Sequence, residues 1–373
     1  MTRVAYFAPL LYTGGTQRHL QQVLRDLDRR RFVAHVYTLR PGGEVAAELR
    51  EAGVPVTSLD LGHHLATPRA LRGLVRAARL LRAARTDVVH GYQWRPALVG
   101  AIAGRLAGAR LVLASKRSLT GDDRQARRAW RLIAAMVDTV VTNADALRRE
   151  AAAHGVRGRW TIIPSGIDVE RVRGGPNPSA AKAALGLDPR RPVVGTVGRL
   201  EERKGHGDFL LAVRAMLGPA NGLGPQALIV GDGPLRARLE RQAADLGLAD
   251  TVRFVGAVAD VRTPLAAMDV FLLPSRAEGM SNALLEAMAA GRPVVATAVG
   301  GTREAVDADR TGILVPPGDP AALAAAALGL LADPVRAAAV GGAARRSVEE
   351  GFSARRMVAA LEQLYTERLE AVA

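Results

Sequence analysis

Two successive trains of alternating strand-like and helix-like stretches fill the chain, and no other feature limits its fold so tightly. The first train has apolar strand patterns at 4–10, 32–39, 54–59, 86–90, 110–115, 137–142 and 160–163. Helical patterns lie between them at 17–27, 44–52, 69–85, 97–106 and 124–136, with a further helix after Asn143 and Asp145, which can cap it. A Gly- and Pro-rich stretch, RGGPNPS at 173–179, reads as a linker. After it the rhythm restarts, with strands at 193–197, 227–230, 252–255, 270–273, 294–297 and 312–315, and ends in three helices near 320–331, 334–349 and 353–369. Such alternation predicts an α/β chain of two doubly wound, Rossmann-like parallel sheets, at 1–175 and 176–352. Ligands of such sheets bind beyond the carboxyl ends of the strands.

The chemistry concentrates in 275–297, SRAEGMSNALLEAMAAGRPVVAT. Glu278 is followed by Gly279, Met280, Ser281 and Asn282, then by an apolar helical run that carries Glu286 and ends at Gly291. The free N–H groups at a helix start, with the helix dipole, favour an anion. A carboxylate beside them is a hydroxyl acceptor. A phosphate cradle between two such acceptors describes a nucleotide-sugar site. An ordinary helix capped by Ser281 or Asn282, with both glutamates solvated, is the plainer alternative.

Other strand ends add to the pattern. Thr13-Gly14-Gly15-Thr16 is a strand-to-helix turn in which glycines let the backbone approach a phosphate. It lacks the full GxGxxG of a dinucleotide fingerprint. His19, one turn later, reads as a surface or cap histidine. His90 ends the apolar run Asp87-Val88-Val89 and can bond a sugar hydroxyl or phosphate, or be satisfied by backbone. Ser115 and Lys116 share that crevice. Arg199 and Lys204 bracket a later strand-to-helix loop and suit a diphosphate. The chain has only three lysines, Lys116, Lys182 and Lys204, so a lysine at this loop suggests that a compact charge is needed there.

The charge is lopsided. Residues 1–175 hold 29 basic and 14 acidic residues, whereas 176–373 hold 22 of each. The surplus of +15 therefore sits in the first half and suggests an anionic partner, such as a lipid surface, a phosphorylated acceptor or nucleic acid. Two helical stretches carry much of it. In one, Arg69, Arg72, Arg76 and Arg79 form an outward arc, with Leu71, Leu74, Val75 and Ala78 expected to pack inward. In the other, Arg124, Arg127, Arg128 and Arg131 accompany Trp130. The absence of Cys removes disulfides, thiolate nucleophiles and Cys-based zinc sites. The longest apolar run, 321–332, is below the roughly 20 residues of a membrane span, and no signal peptide is evident. The expected location is cytoplasmic, peripheral on the inner face of the membrane.

Taken together, the Gly-Gly turn, DVVH at 87–90, IIPSGID at 162–168, GRLEERKG at 198–205, VGDGPLR at 230–236 and the E-x7-E stretch from Glu278 to Glu286 resemble a retaining GT-B glycosyltransferase of family 4. The resemblance implies two Rossmann-like domains facing each other across a cleft. The donor would lie in the second domain and the acceptor mainly in the first, to which a final helix at 353–373 would return. It implies that Arg199 and Lys204 hold the donor diphosphate, that Glu286 accepts from the ribose, and that Glu278 accepts from the transferred sugar. Met280, Ser281 and Asn282, with Gly279, would complete those contacts. Gly14 and Gly15 would approach the diphosphate, and His90 the sugar or phosphate. Two positions depart from the family pattern: Tyr92 stands where many relatives carry a second histidine, and Ser281 where proline is common.

The resemblance implies a nucleoside-diphosphate sugar, UDP- or GDP-linked, as co-substrate, with no metal and no protein nucleophile. A metal-dependent GT-A enzyme would need an acidic cluster at a strand end. The only adjacent aspartates, Asp122 and Asp123, lie at a helix start instead. The acceptor would belong to polysaccharide, glycolipid or lipid-linked glycan assembly. A GT-B epimerase or phosphorylase is the nearest alternative. A basic nucleic-acid-binding protein is a more distant one, disfavoured by the 4% aromatic content and by site motifs in the neutral half.

Overall fold

The computed structural model describes residues 1–9, 14–62, 64–119, 123–217 and 224–371. Thr13 and Asp122 fall outside these described residues. The chain divides into two compact units, 1–166 with 354–373, and 167–353.

The first unit holds seven parallel strands: β1 (Thr2–Ala8), β2 (Phe32–Thr38), β3 (Val56–Ser58), β4 (Val88–Tyr92), β5 (Leu111–Lys116), β6 (Thr139–Thr142) and β7 (Trp160–Ile162). Its helices are α1 (Gly15–Asp26), α2 (Glu44–Glu51), α3 (Pro68–Ala83), α4 (Trp94–Ala107), α5 (Arg124–Met136) and α6 (Asp145–Ala153). In the second unit, short helices α7 (Val169–Val172) and α8 (Pro178–Ala184) precede β8 (Val193–Val197). Then follow α9 (His206–Met216), β9 (Gln226–Val230), α10 (Arg236–Asp245), β10 (Val252–Gly256), α11 (Arg262–Ala267) and β11 (Val270–Leu273). The unit closes with α12 (Asn282–Ala289), β12 (Val294–Thr297), α13 (Thr302–Ala305), β13 (Ile313–Val315), α14 (Pro320–Ala332) and α15 (Pro334–Gly351). The last helix, α16 (Ala354–Glu370), belongs to the first unit.

The strand orders are β3-β2-β1-β4-β5-β6-β7 and β10-β9-β8-β11-β12-β13, and every pairing is parallel. Each sheet grows outward in one direction, then returns to the free edge of its first strand. The resulting switch points lie between β1 and β4, and between β8 and β11. Crossovers leave opposite faces there, so the strand ends open a crevice.

Both sheets are buried on two faces, which is why their strands read as continuous apolar runs. In the first unit, Leu20 and Leu24 of α1 and Met357, Leu361 and Tyr365 of α16 cover one face. Ala77 and Leu81 of α3, Val99 and Ala103 of α4, and Ile133 of α5 cover the other. In the second unit, Phe209, Leu239 and Leu323 pack on Val194, Ile229 and Leu272.

The compact units divide at 166/167, and the stretch 173–179 lies within the second of them. Asn177 accepts from the Ser179 N–H at 2.9 Å and caps α8, whose first residue is Pro178. Helix α3 is rotated from the expected orientation. Ala70, Gly73, Ala77 and Leu81 are its buried arc, while Leu71 is 61% and Val75 38% exposed. Gly73 is the reason: a Cβ there would stand 3.1 Å from the Leu59 carbonyl oxygen and 3.0 Å from Leu61 Cγ. Only the small-residue side can come that close to the neighbouring backbone. In α5, Trp130 is buried.

Candidate active site

At the switch point of the second sheet, the loops that leave β8 and β11 meet. The first, Gly198 to Gly205, contains a single 3-10 turn over Glu202–Lys204 and ends at Gly205 with φ +68°. A Cβ on Gly205 would come 2.0 Å from the Pro274 carbonyl oxygen, so the two loops are in backbone contact there. The Arg276 N–H donates to the Arg203 carbonyl at 2.8 Å, and the Arg276 guanidinium grips Asp208 of α9 at 3.0 and 3.1 Å. Together these contacts fix the β11 loop on the β8 loop.

That registry brings Lys204 to Glu278. The ammonium donates to Oε1 at 2.6 Å, and the Ser275 hydroxyl donates to the same oxygen at 2.7 Å. Arg203 lies 4.0 Å from the other carboxylate oxygen. The glutamate side chain is 4% exposed and the lysine 15%, so water screens the pair little. The loop after β12 closes over them. Gly300 has φ +47°, and a Cβ on it would stand 1.9 Å from the Glu278 carbonyl oxygen. Only glycine fits at that crossing.

Helix α12 starts beside this pair. Ser281 is its N-cap, accepting from the Leu284 N–H at 3.3 Å. Gly279 and Met280 are buried and Asn282 is half-buried. Glu286 is half-buried on α12, four residues beyond its first. Arg199 stands apart from the pair: its side chain is 70% exposed and its Nε is 4.0 Å from Glu201. Behind it, Gly231 and Gly233 press on the same loop. Their Cβ positions would lie 1.9 Å from the Gly198 oxygen and 2.6 Å from the Leu200 oxygen. The GDGP segment thus supports the β8 loop from the β9 side.

Sequence reasoning passed over two groups here. Ser275 orients the carboxylate, and its one readable signal is its place three residues before Glu278. His206, the first residue of α9, is buried with neither ring nitrogen paired among the described residues. Burial, and then the charge of Lys204, push its pKa down to about 4, so the imidazole is neutral at physiological pH.

In the first unit His90 does not offer a free nitrogen. Its Nδ1 is 2.7 Å from the Tyr365 hydroxyl on α16 and its Nε2 is 2.8 Å from the Ser115 hydroxyl. It is fully buried and stacks on Tyr92 at 4.7 Å, and burial lowers its pKa to about 3. In this arrangement both ring nitrogens of His90 are hydrogen-bonded within the first unit. His19, read as a surface or cap group, is buried against Tyr92, with ring centroids 5.5 Å apart. Gly14 is extended at φ −169° and precedes α1 as its N-cap, while a Cβ on Gly15 would meet no protein atom within 4 Å. Lys116 is paired with Glu150 at 2.7 Å. Asp123 caps α5 through the Ala126 N–H at 2.9 Å.

Comparison with known proteins adds the following. A family profile for Glycosyl transferases group 1 matches residues 191–333, and one for a Glycosyl transferase 4-like domain matches 14–166. The chain is 30% identical to a D-inositol 3-phosphate glycosyltransferase of Thermobispora bispora, over 96% of this chain and 91% of that protein. It is also 30% identical to a GDP-mannose-dependent monoacylated alpha-(1-6)-phosphatidylinositol monomannoside mannosyltransferase of Corynebacterium glutamicum, over 91% of each. A 2-deoxystreptamine N-acetyl-D-glucosaminyltransferase of Streptomyces fradiae is 33% identical over 68% of this chain and 65% of its own length. Among solved structures, Anabaena HepE in complex with UDP superposes with a TM-score of 0.86 at 22% identity, covering 98% of this chain and all of that one. WaaG, a glycosyltransferase involved in lipopolysaccharide biosynthesis, gives 0.76 at 19% identity, covering 97% and 99%.

Proposed function

This chain belongs to the group 1, family 4 glycosyltransferases and has their GT-B fold, and from that premise we propose a reaction and roles for its residues. It moves a hexosyl group from a UDP- or GDP-linked sugar, with retention, to an acceptor used in polysaccharide, glycolipid or lipid-linked glycan assembly. The Lys204–Glu278 contact at a switch point, beside the capped start of α12, carries this reading. Lys204 is held by a carboxylate that is itself oriented by Ser275, so a cation is in place before a diphosphate arrives. Cations and a helix terminus so arranged stabilise the charge that develops on a leaving nucleoside diphosphate. Arg199, on the same loop and exposed, closes on the outer phosphate.

Glu278 has one oxygen taken by Lys204 and Ser275. Its other oxygen, 4.0 Å from Arg203, takes a hydroxyl of the transferred sugar. Glu286 takes the ribose hydroxyls. Gly279 to Asn282 contribute backbone donors. The acceptor hydroxyl attacks on the face that the phosphate leaves, and a phosphate oxygen receives its proton. No protein nucleophile and no metal enters this scheme.

Lys204→Ala is expected to abolish donor hydrolysis and transfer while the thermal transition persists. Turnover near that of the unaltered chain would remove Lys204 from the mechanism. A thermal-shift panel of UDP-, GDP-, ADP- and dTDP-sugars identifies the base, and a chain stabilised by none of them contradicts the donor reading.

Engagement of an anionic membrane surface by the first unit is part of the same proposal. Residues 61–137 hold fifteen Arg or Lys and three Asp. On α3, Leu71 and Val75 protrude among Arg72, Arg76 and Arg79. A basic face with projecting apolar side chains suits an acidic bilayer surface, where the enzyme would work on the cytoplasmic side.

A further inference from the structure

The first sheet has its own switch point, and a second cation stands there with no acid to pair it among the described residues. Tyr6, His90 and Leu113 are aligned across β1, β4 and β5, and Tyr92 is aligned with Ser115. Alternation along β5 places Arg117, just past the strand, on the same side as Ser115. The guanidinium donates to the Ser165 hydroxyl at 2.9 Å, and Ser165 also accepts from the Asn143 amide at 3.0 Å. No carboxylate pairs with Arg117 among the described residues, whereas its neighbour Lys116 is neutralised by Glu150. The side chain is half-buried, within reach of solvent.

Around Arg117 the groups are donors or neutral. Its charge acts on His19, His90 and Tyr92, and burial brings its own pKa down to about 10. His19, on α1, is 7% exposed and its Nδ1 has no partner among the described residues. The first turn of α1 has neither a side-chain cap nor an acid. The strained residue Gln93, at φ +63°, ties the end of β4 to that turn through Thr16 at 3.2 Å. A half-buried guanidinium with no counter-charge among the described residues is partly desolvated, and a bound anion offsets that cost.

We propose that Arg117, with His19 and the start of α1, forms an anion subsite for a phosphoryl group. The ligand is a phosphorylated acceptor, which makes this subsite an extension of the transferase reading and dependent on it for its biological meaning. A phosphoryl group suits the place better than a carboxylate because three oxygens can share the guanidinium fork and helix N–H groups. The phosphate could come from a soluble sugar or polyol phosphate or from a lipid headgroup.

The test is calorimetric titration of the full chain with inorganic phosphate, sodium acetate and glycerol 1-phosphate, alongside Arg117→Gln and Lys204→Ala. The unaltered chain should bind phosphate in preference to acetate. Arg117→Gln should weaken one class of phosphate binding at least tenfold and leave nucleotide-sugar binding unchanged, and Lys204→Ala should do the reverse. Equal phosphate binding by Arg117→Gln, or equal affinity for acetate, overturns the subsite. Crystals of the unaltered chain soaked in phosphate keep the question decidable if Arg117→Gln does not fold: an anion within hydrogen-bonding distance of the guanidinium supports the subsite, and none there overturns it. Binding of phosphatidylglycerol vesicles but not glycerol 1-phosphate in an Arg117-dependent way assigns the phosphate to a lipid, and the converse to a soluble acceptor. If the donor panel fails while Arg117 still binds phosphate, the donor reading falls and the subsite stands.

Discussion

At the scale of single residues, the second unit organises itself around one buried ion pair. Lys204 and Glu278 are 74 residues apart and meet at 2.6 Å. A buried pair contributes little net stability, because desolvating two ions offsets their attraction. Its value here is placement of a cation and a hydroxyl acceptor. The buried histidines have a different consequence. His206 and His90, with pKa values brought down to about 4 and about 3, stay neutral in the folded chain, while the unfolded chain protonates near 6.5. As pH falls from about 6.5 toward 4 the unfolded state binds the extra protons, so stability is full above that window and lost within it. His206 alone accounts for up to about 3 kcal/mol. The thermal midpoint should fall over that range, and His206→Gln should flatten part of the slope. An unchanged slope would show that His206 is not held neutral.

At the scale of elements, loops and helices are positioned by glycine as much as by apolar packing. Gly300→Ala should destabilise the second unit by roughly 2–4 kcal/mol, since a methyl group there collides with the Glu278 carbonyl at a backbone angle that alanine avoids. It should also disturb the Lys204–Glu278 pair and lower turnover; a lower melting temperature with full activity would separate the crossing from the site. Helix α3 makes the converse point. Two arcs of its sequence are apolar, and periodicity alone does not say which is inside. Gly73 decides, because only a side without a bulky Cβ fits against Leu59 and Leu61. The outward arc therefore includes Leu71 and Val75, and changing Arg72, Arg76 and Arg79 together to Glu should abolish flotation with phosphatidylglycerol vesicles. Equal recovery on anionic and neutral vesicles by the unaltered chain would remove the membrane from the proposal. Among the described residues no single helix is long and apolar enough to cross a membrane.

At the scale of the molecule, the chain leaves the first unit at 166 and returns with α16. That helix buries Met357, Val358, Leu361, Leu364, Tyr365 and Leu369 in the first core. At about 1.5–3 kcal/mol for each large apolar side chain, an upper-bound figure, the contribution is on the order of 10 kcal/mol. This is comparable to the whole stability of a domain. Removing residues 354–373 should therefore unfold the first unit, with loss of its near-ultraviolet circular dichroism, while a fragment of 167–353 keeps a cooperative transition. Survival of the first unit without α16 would show that its core is stable without this helix.

Sequence alone determined the alternation of strands and helices, hence two parallel sheets, and the residue types at their carboxyl ends: Gly14-Gly15, Arg199, Lys204, and Glu278 to Glu286. It did so because periodicity and turn chemistry are local and survive without knowledge of neighbours. Which strand ends adjoin is not local. That Lys204 lies on Glu278, and that Tyr365 closes off His90 from 275 residues away, were decided by strand order and the returning helix. The physical reason is that apolar spacing records which face of an element is dry, whereas the partner on that face is chosen by shape and close approach in the folded core.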